Sequence, residues 1–151
     1  MTMLICSTTF CQAQKDYDFS AGVRIGLALD AGVSVKGFVS ESVALEGILM
    51  TPLRRLPADP WLSRITVVAL GEWHYSGSKL PALNFVVGGG WCANIRTREP
   101  TQQLMTGPSA LLGMEYTLPH MPLAIQLDAL PIYFLGLGLN MDLSLCMRYT
   151  F

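Results

Sequence analysis

Residues Leu139 to Phe151 read L-N-M-D-L-S-L-C-M-R-Y-T-F. Leu139, Met141, Leu143, Leu145, Met147, Tyr149 and Phe151 are apolar or aromatic, and the residues between them (Asn140, Asp142, Ser144, Cys146, Arg148, Thr150) are mostly polar. Side chains of a strand point alternately to opposite faces, so this is a long strand with one apolar face and one polar face. Globular strands usually run about five or six residues, whereas a tilted strand crossing a bilayer needs about nine to eleven. The length fits the second case.

The same alternation recurs along the chain. Asp18 to Asp30 is a first strand, with Phe19, Ala21, Val23, Ile25, Leu27 and Leu29 on one face, and Asp30-Ala31-Gly32 is a tight-turn signal. Val33 to Val39 follows, then a turn at Ser40-Glu41-Ser42, then Val43 to Met50. Thr51 to Ser63, with three prolines and two arginines, reads as a loop. Arg64 to Ser76 is the fourth strand and Gly77 to Pro81 its turn. Ala82 to Ile95 is the fifth strand, and Arg96 to Thr106 a second polar loop. Leu111 to Leu118 and Pro122 to Leu130 are joined at Pro119-His120-Met121, and Pro131 to Gly138 is the last loop. About eight strands result, the smallest usual number for a transmembrane barrel.

Composition narrows the classes without choosing a fold. At 51% hydrophobic and 14% charged residues, the 151-residue chain is no disordered segment. A net charge of −1 leaves no basic footprint for nucleic acid. No run approaches 18 consecutive apolar residues, so no spanning helix is encoded. What remains is a soluble protein with a large core or a barrel whose apolar residues alternate outward. Pattern favours the barrel. With both termini at the inner end, the third and fifth connections are long and outer, while the second, fourth and sixth are shorter and periplasmic; only the first, Asp30 to Gly32, is short on the wrong side. The same topology gathers Phe19, Trp73, Tyr75, Phe85, Tyr116, Tyr149 and Phe151 near the periplasmic end of the apolar face, as an interfacial aromatic girdle.

The segments E-G-I-L from Glu46, L-G-E-W-H-Y from Leu70, L-G-M-E-Y-T-L-P-H-M-P-L from Leu112 and the closing M-R-Y-T-F carry a resemblance. Over Asp16 to the end the chain resembles a poorly characterised group of small Gram-negative outer-membrane β-barrels. The resemblance implies an all-β, up-and-down antiparallel transmembrane barrel located in the outer membrane. It also implies that Tyr149 and Phe151 form the terminal signal read by the barrel-assembly machinery. It implies no activity. Expected partners are outer-membrane lipid and that machinery; a surface partner is not named by the residues.

The charged strand residues share one face: Arg24, Lys36, Glu46, Glu72, Glu115, Asp128, Asp142 and Arg148, with His74 beside them. A Lys or Arg facing lipid at the midplane costs about 2–4 kcal/mol, so this face is expected to be the lumen. An eight-stranded barrel is filled by side chains, which makes an internal ion-pair network the leading expectation and a narrow proton or ion path the alternative. Glu72-x-His74 is permitted as an acid/base pair or half a metal site, but it lacks further ligands in reach. No catalytic, metal or cofactor residue is therefore assigned. A lipid-modifying enzyme would need a His and a Ser near the outer leaflet, whereas His74 and Ser76 fall inside at the periplasmic end. A soluble lipocalin-like binder would reverse the two faces. Gly88-Gly89-Gly90 relieves crowding or kinks a strand, and Gly136-x-Gly138 shapes a loop. Cys92 and Cys146 face inward on non-adjacent strands and are expected as free thiols.

Met1 to Ala13 is expected to be a truncated signal-peptide remnant, with small-x-small residues Cys11 and Ala13 before a mature start near Gln14. The alternative is an ordinary first strand. Residues 14–151 then form a single barrel domain.

Overall fold

The computed structural model describes residues 17–27, 30–52, 63–76, 82–98, 101–136 and 138–151. The expected signal remnant, the expected turn at Gly77 to Pro81 and most of the loop expected between Thr51 and Ser63 lie outside these residues. Eight strands follow one another: β1 (Phe19–Gly26), β2 (Asp30–Phe38), β3 (Val43–Pro52), β4 (Ser63–Ser76), β5 (Leu83–Arg98), β6 (Thr101–Thr117), β7 (Leu123–Phe134) and β8 (Gly138–Thr150). Each pairs antiparallel with its neighbours in sequence, and β1 pairs with β8, so the sheet closes into a barrel. Closure leaves no edge strand, which a sheet in hydrocarbon cannot tolerate.

The register defines the stagger. From Ser20 the partners run through Lys36, Glu46, Leu70, Gly90, Ser109 and Ile132 to Asn140. The closing pair joins Ser20 to Thr150, ten residues beyond Asn140 on β8. An even stagger keeps inward residues inward all the way round, and it tilts the strands against the barrel axis.

Three sequence expectations need correction. Asp30-Ala31-Gly32 is not the first turn: it opens β2 and pairs with β3. The inward carboxylate of Asp30 meets Arg64 Nη2 at 2.5 Å, a partner that a turn position would not have supplied. The second polar loop, Arg96 to Thr106, is mostly strand: β5 and β6 run on to Arg98 and from Thr101. The last loop, expected at Pro131 to Gly138, is mostly strand: β7 runs on to Phe134 and β8 begins at Gly138, and Gly136 and Gly138 adopt positive φ values of 89° and 96°. Pro131 lacks an N–H, and the β6–β7 register skips Ala110 and Leu111 opposite it, yet Pro131 still pairs with Met141 of β8.

Outside the barrel, large apolar side chains stand exposed on every strand. The interior is layered. Along β4, from the end near the termini to the other end, the inward residues are His74, Glu72, Leu70, Val68, Thr66 and Arg64: charged, apolar, then polar. The apolar layer consists of Ile48, Met50, Val68, Leu70, Val86, Cys92, Leu111, Leu130, Ile132 and Phe134, all from β3 to β7.

Candidate functional site

At the terminal end of the interior, alternation on seven strands drives long charged side chains towards one another. Arg148 of β8 sits at their centre. Its Nη1 donates to Glu46 Oε1 at 2.6 Å and Ser34 Oγ at 2.9 Å, and its Nη2 donates to Glu115 Oε2 at 2.7 Å and to Gln126 Oε1. Lys36 Nζ lies 2.7 Å from Glu72 Oε2, 3.0 Å from Glu115 Oε2 and 2.7 Å from Gln126 Oε1. Arg24 grips Asp128 with both terminal nitrogens, and Gln126 and Ser144 donate to the same carboxylate at 2.8 Å. Gln126 therefore joins the Arg24–Asp128 pair to the Lys36–Arg148 cluster.

His74 lies within this network, with Nε2 at 3.3 Å from Glu72 Oε2 and Nδ1 at 3.9 Å from Glu115 Oε1. Its ring packs on Phe38, with centroids 4.7 Å apart. The Lys36 ammonium bridges Glu72 and Glu115, so the Glu72 carboxylate beside His74 is already engaged by a cation. Eight of the nine charged or titratable residues proposed from the sequence are brought together here. Asp142 is not: it stands near the far end, and among the described residues it forms no ion pair.

The sequence reading missed several members. Tyr17 precedes β1, yet it is buried, donates its hydroxyl to Glu115 Oε1 at 2.8 Å and packs edge-on against Phe38 at 5.1 Å. Its odd number would place it outside if the strand began earlier, so alternation gives no signal for it. Ser34, Gln126 and Ser144 sit on the inward face but carry no charge, so the charge pattern does not single them out. Gly88 of β5 borders the network, where an added Cβ would come 3.1 Å from Glu72 Cγ. At Gly90 an added Cβ would strike the Ala69 carbonyl at 1.9 Å, so this glycine permits close approach of β4 and β5. Cys92 and Cys146 are buried and unpaired.

On the outside, Phe19, Trp73, Tyr75, Phe85, Tyr116, Tyr149 and Phe151 are all exposed, at the strand ends nearest the termini. Phe151 stacks near Tyr149 and Phe19, with centroids 4.9 and 5.9 Å away, and its N–H donates to the Phe19 carbonyl. Trp91 and Tyr133 also point outward, and Tyr133, paired with Leu139, lies at the opposite end.

Charge and hydrogen bonding are thus turned inward and apolar surface outward, the reverse of a soluble protein. No family model matches the sequence, and no curated protein matches it. Solved structures do match in fold, three of them small barrels as follows. The N-terminal β-barrel domain of Pseudomonas aeruginosa OprF aligns with 93% of this chain and 100% of its own, at 17% identity and a TM-score of 0.68. Neisserial surface protein A aligns with 88% of this chain and 94% of its own, at 10% identity and a TM-score of 0.59. Ail, the attachment invasion locus protein of Yersinia pestis, aligns with 89% of this chain and 99% of its own, at 10% identity and a TM-score of 0.52. At such identities the likeness is one of fold, and the fold is that of the small eight-stranded outer-membrane β-barrels.

Proposed function

We propose that the protein is an integral outer-membrane barrel without catalytic activity, closed to ion flow, which serves the envelope structurally or through contacts of its outer rim. One observation carries this reading: an outward apolar belt runs over all eight strands, while the charges at the terminal end of the interior are paired with one another beside an apolar cluster from β3 to β7. Such a belt needs lipid, because a soluble protein exposing it would aggregate. The paired network crosses the lumen, which weighs against a continuous aqueous path. Names of similar structures that speak of a surface protein and of attachment agree with a surface role. His74 is enclosed between Glu72, Glu115 and Phe38, out of reach of lipid, which weighs against the lipid-enzyme reading.

Fractionation of cells tests location: the protein should be recovered with the outer membrane, and recovery in the soluble periplasm would overturn the reading. Purified barrel in a planar bilayer should give no steady conductance steps, and reproducible steps would show an open path. Lipid incubated with detergent-solubilised protein should stay unchanged. Processing that disappears in His74→Ala would establish an enzyme instead.

A further inference from the structure

The end of the interior opposite the chain termini holds a cavity of about 380 Å³ that the proposed role does not use. Its walls carry opposite charges. Arg64 and Arg96 are direct partners in the β4–β5 register, while Asp30 of β2 and Asp142 of β8 line the other side. Arg64 is matched by Asp30 at 2.5 Å. The other two charges are not matched. Among the described residues neither Arg96 nor Asp142 makes an ion pair, and Arg96 Nε and both Asp142 oxygens are buried without a hydrogen-bond partner. β5 and β8 stand three strands apart round the ring, so these two charges belong to different walls.

Asn94, two residues from Arg96 on β5, also lines the cavity; it is 3% exposed, its Nδ2 donates to Thr66 Oγ1 at 2.6 Å, and its Oδ1 is left unbonded. Met105, Ile132 and Phe134 give the same cavity an apolar floor. Buried polar atoms without partners are costly, and a ligand that supplies them removes the cost. The volume falls within the range of small-molecule sites.

We propose that this cavity binds a small zwitterion bearing an apolar group, of the amino-acid or dipeptide class. The carboxylate faces Arg96, the ammonium faces Asp142 and donates to Asn94 Oδ1, and the apolar group rests on Met105, Ile132 and Phe134. Binding depends on the barrel being folded, not on its proposed role in the envelope.

The barrel, refolded in detergent with methyl-labelled methionine, provides the test. Met50 and Met105 line the cavity, whereas Met114 and Met147 face outward. L-Leucine or L-leucyl-L-leucine should shift the Met50 and Met105 methyl resonances saturably and leave those of Met114 and Met147 in place. Isovalerate, isoamylamine and N-acetyl-leucinamide, each lacking one or both charges, should bind at least about fivefold more weakly. Arg96→Gln and Asp142→Asn should each weaken the zwitterion by the same factor or more. Unchanged Met114 and Met147 shifts show that the variants remain folded, and the analogue series on the unaltered protein stands even if they do not. Absence of saturable shifts with either zwitterion at about 20 mM would overturn the proposal, as would analogues binding within about fivefold of it.

Discussion

Arg148 Nη1 lies 2.6 Å from Glu46 Oε1, although β8 and β3 are three steps apart round the ring. The contact crosses the lumen instead of running along the wall. With Glu115 of β6 on Nη2, one guanidinium ties together three separate parts of the barrel. Backbone ladders join only neighbours, so such cross-lumen pairs restrict the register of strands that never touch.

Removal of Arg148 should therefore be costly. Arg148→Met leaves Glu46 without an ion-pair partner among the described residues, in a buried setting where breaking a pair costs about 3–5 kcal/mol. Adding Glu46→Gln to the same chain removes the stranded charge and should recover part of the loss. Urea titration in defined vesicles measures both. A loss below about 1 kcal/mol for the single variant would mean that the network contributes little to stability.

How far the sequence reaches follows from these same residues. Inward and outward assignments of Glu46, Glu72, Glu115 and Arg148 follow from a period of two, because lipid on one side and a narrow lumen on the other enforce it. Near the mouth that enforcement weakens: the stretch from Arg96 to Thr106 loses its outward apolar signal while its backbone ladder continues. Asp30 and Pro131 carry the chemistry of turns, yet Asp30 is held by Arg64, and Pro131 keeps its place beside Met141. Which carboxylate meets which cation depends on the register of distant strands, and no local pattern encodes it. Tyr17 enters the lumen from outside any strand, where alternation does not apply.

The outward belt can be probed by depth. Leu145 pairs with Ile25 and Leu127 in the middle of the wall and is 52% exposed, while Leu139 pairs with Tyr133 at the rim and is 68% exposed. Leu145→Arg should cost about 2–4 kcal/mol in a bilayer, and Leu139→Arg about 0–1 kcal/mol. Equal costs at the two sites, read from urea titrations in the same vesicles, would remove lipid as the solvent of this face.

The apolar layer allows a comparison between sequence neighbours. Leu111 is fully buried in the interior and Leu112 is exposed on the outside. Leu111→Ala leaves a cavity enclosed by protein, whereas lipid chains fill the space left by Leu112→Ala. The cavity contribution should make the first variant less stable than the second by roughly 1–2 kcal/mol. The reverse order would place the packed layer on the wrong face.

Phe151 combines a structural contact with a proposed signal, and the two can be separated. In the folded barrel its ring meets Tyr149 and Phe19, and its backbone N–H is bonded to Phe19. Phe151→Asp keeps the backbone bond and loses an exposed ring at the girdle, where a charge is tolerated at about 0–1 kcal/mol. Refolding into synthetic vesicles, with no assembly machinery present, should therefore proceed nearly as in the unaltered chain. In cells, by contrast, the outer-membrane yield of Phe151→Asp should fall sharply while total synthesis stays level, because the closing aromatic is what the machinery is proposed to read. Quantitative fractionation beside vesicle refolding gives both readouts. Equal yields in cells would discard Phe151 as an assembly signal. A parallel failure in vesicles would assign its effect to the Tyr149 and Phe19 contacts instead.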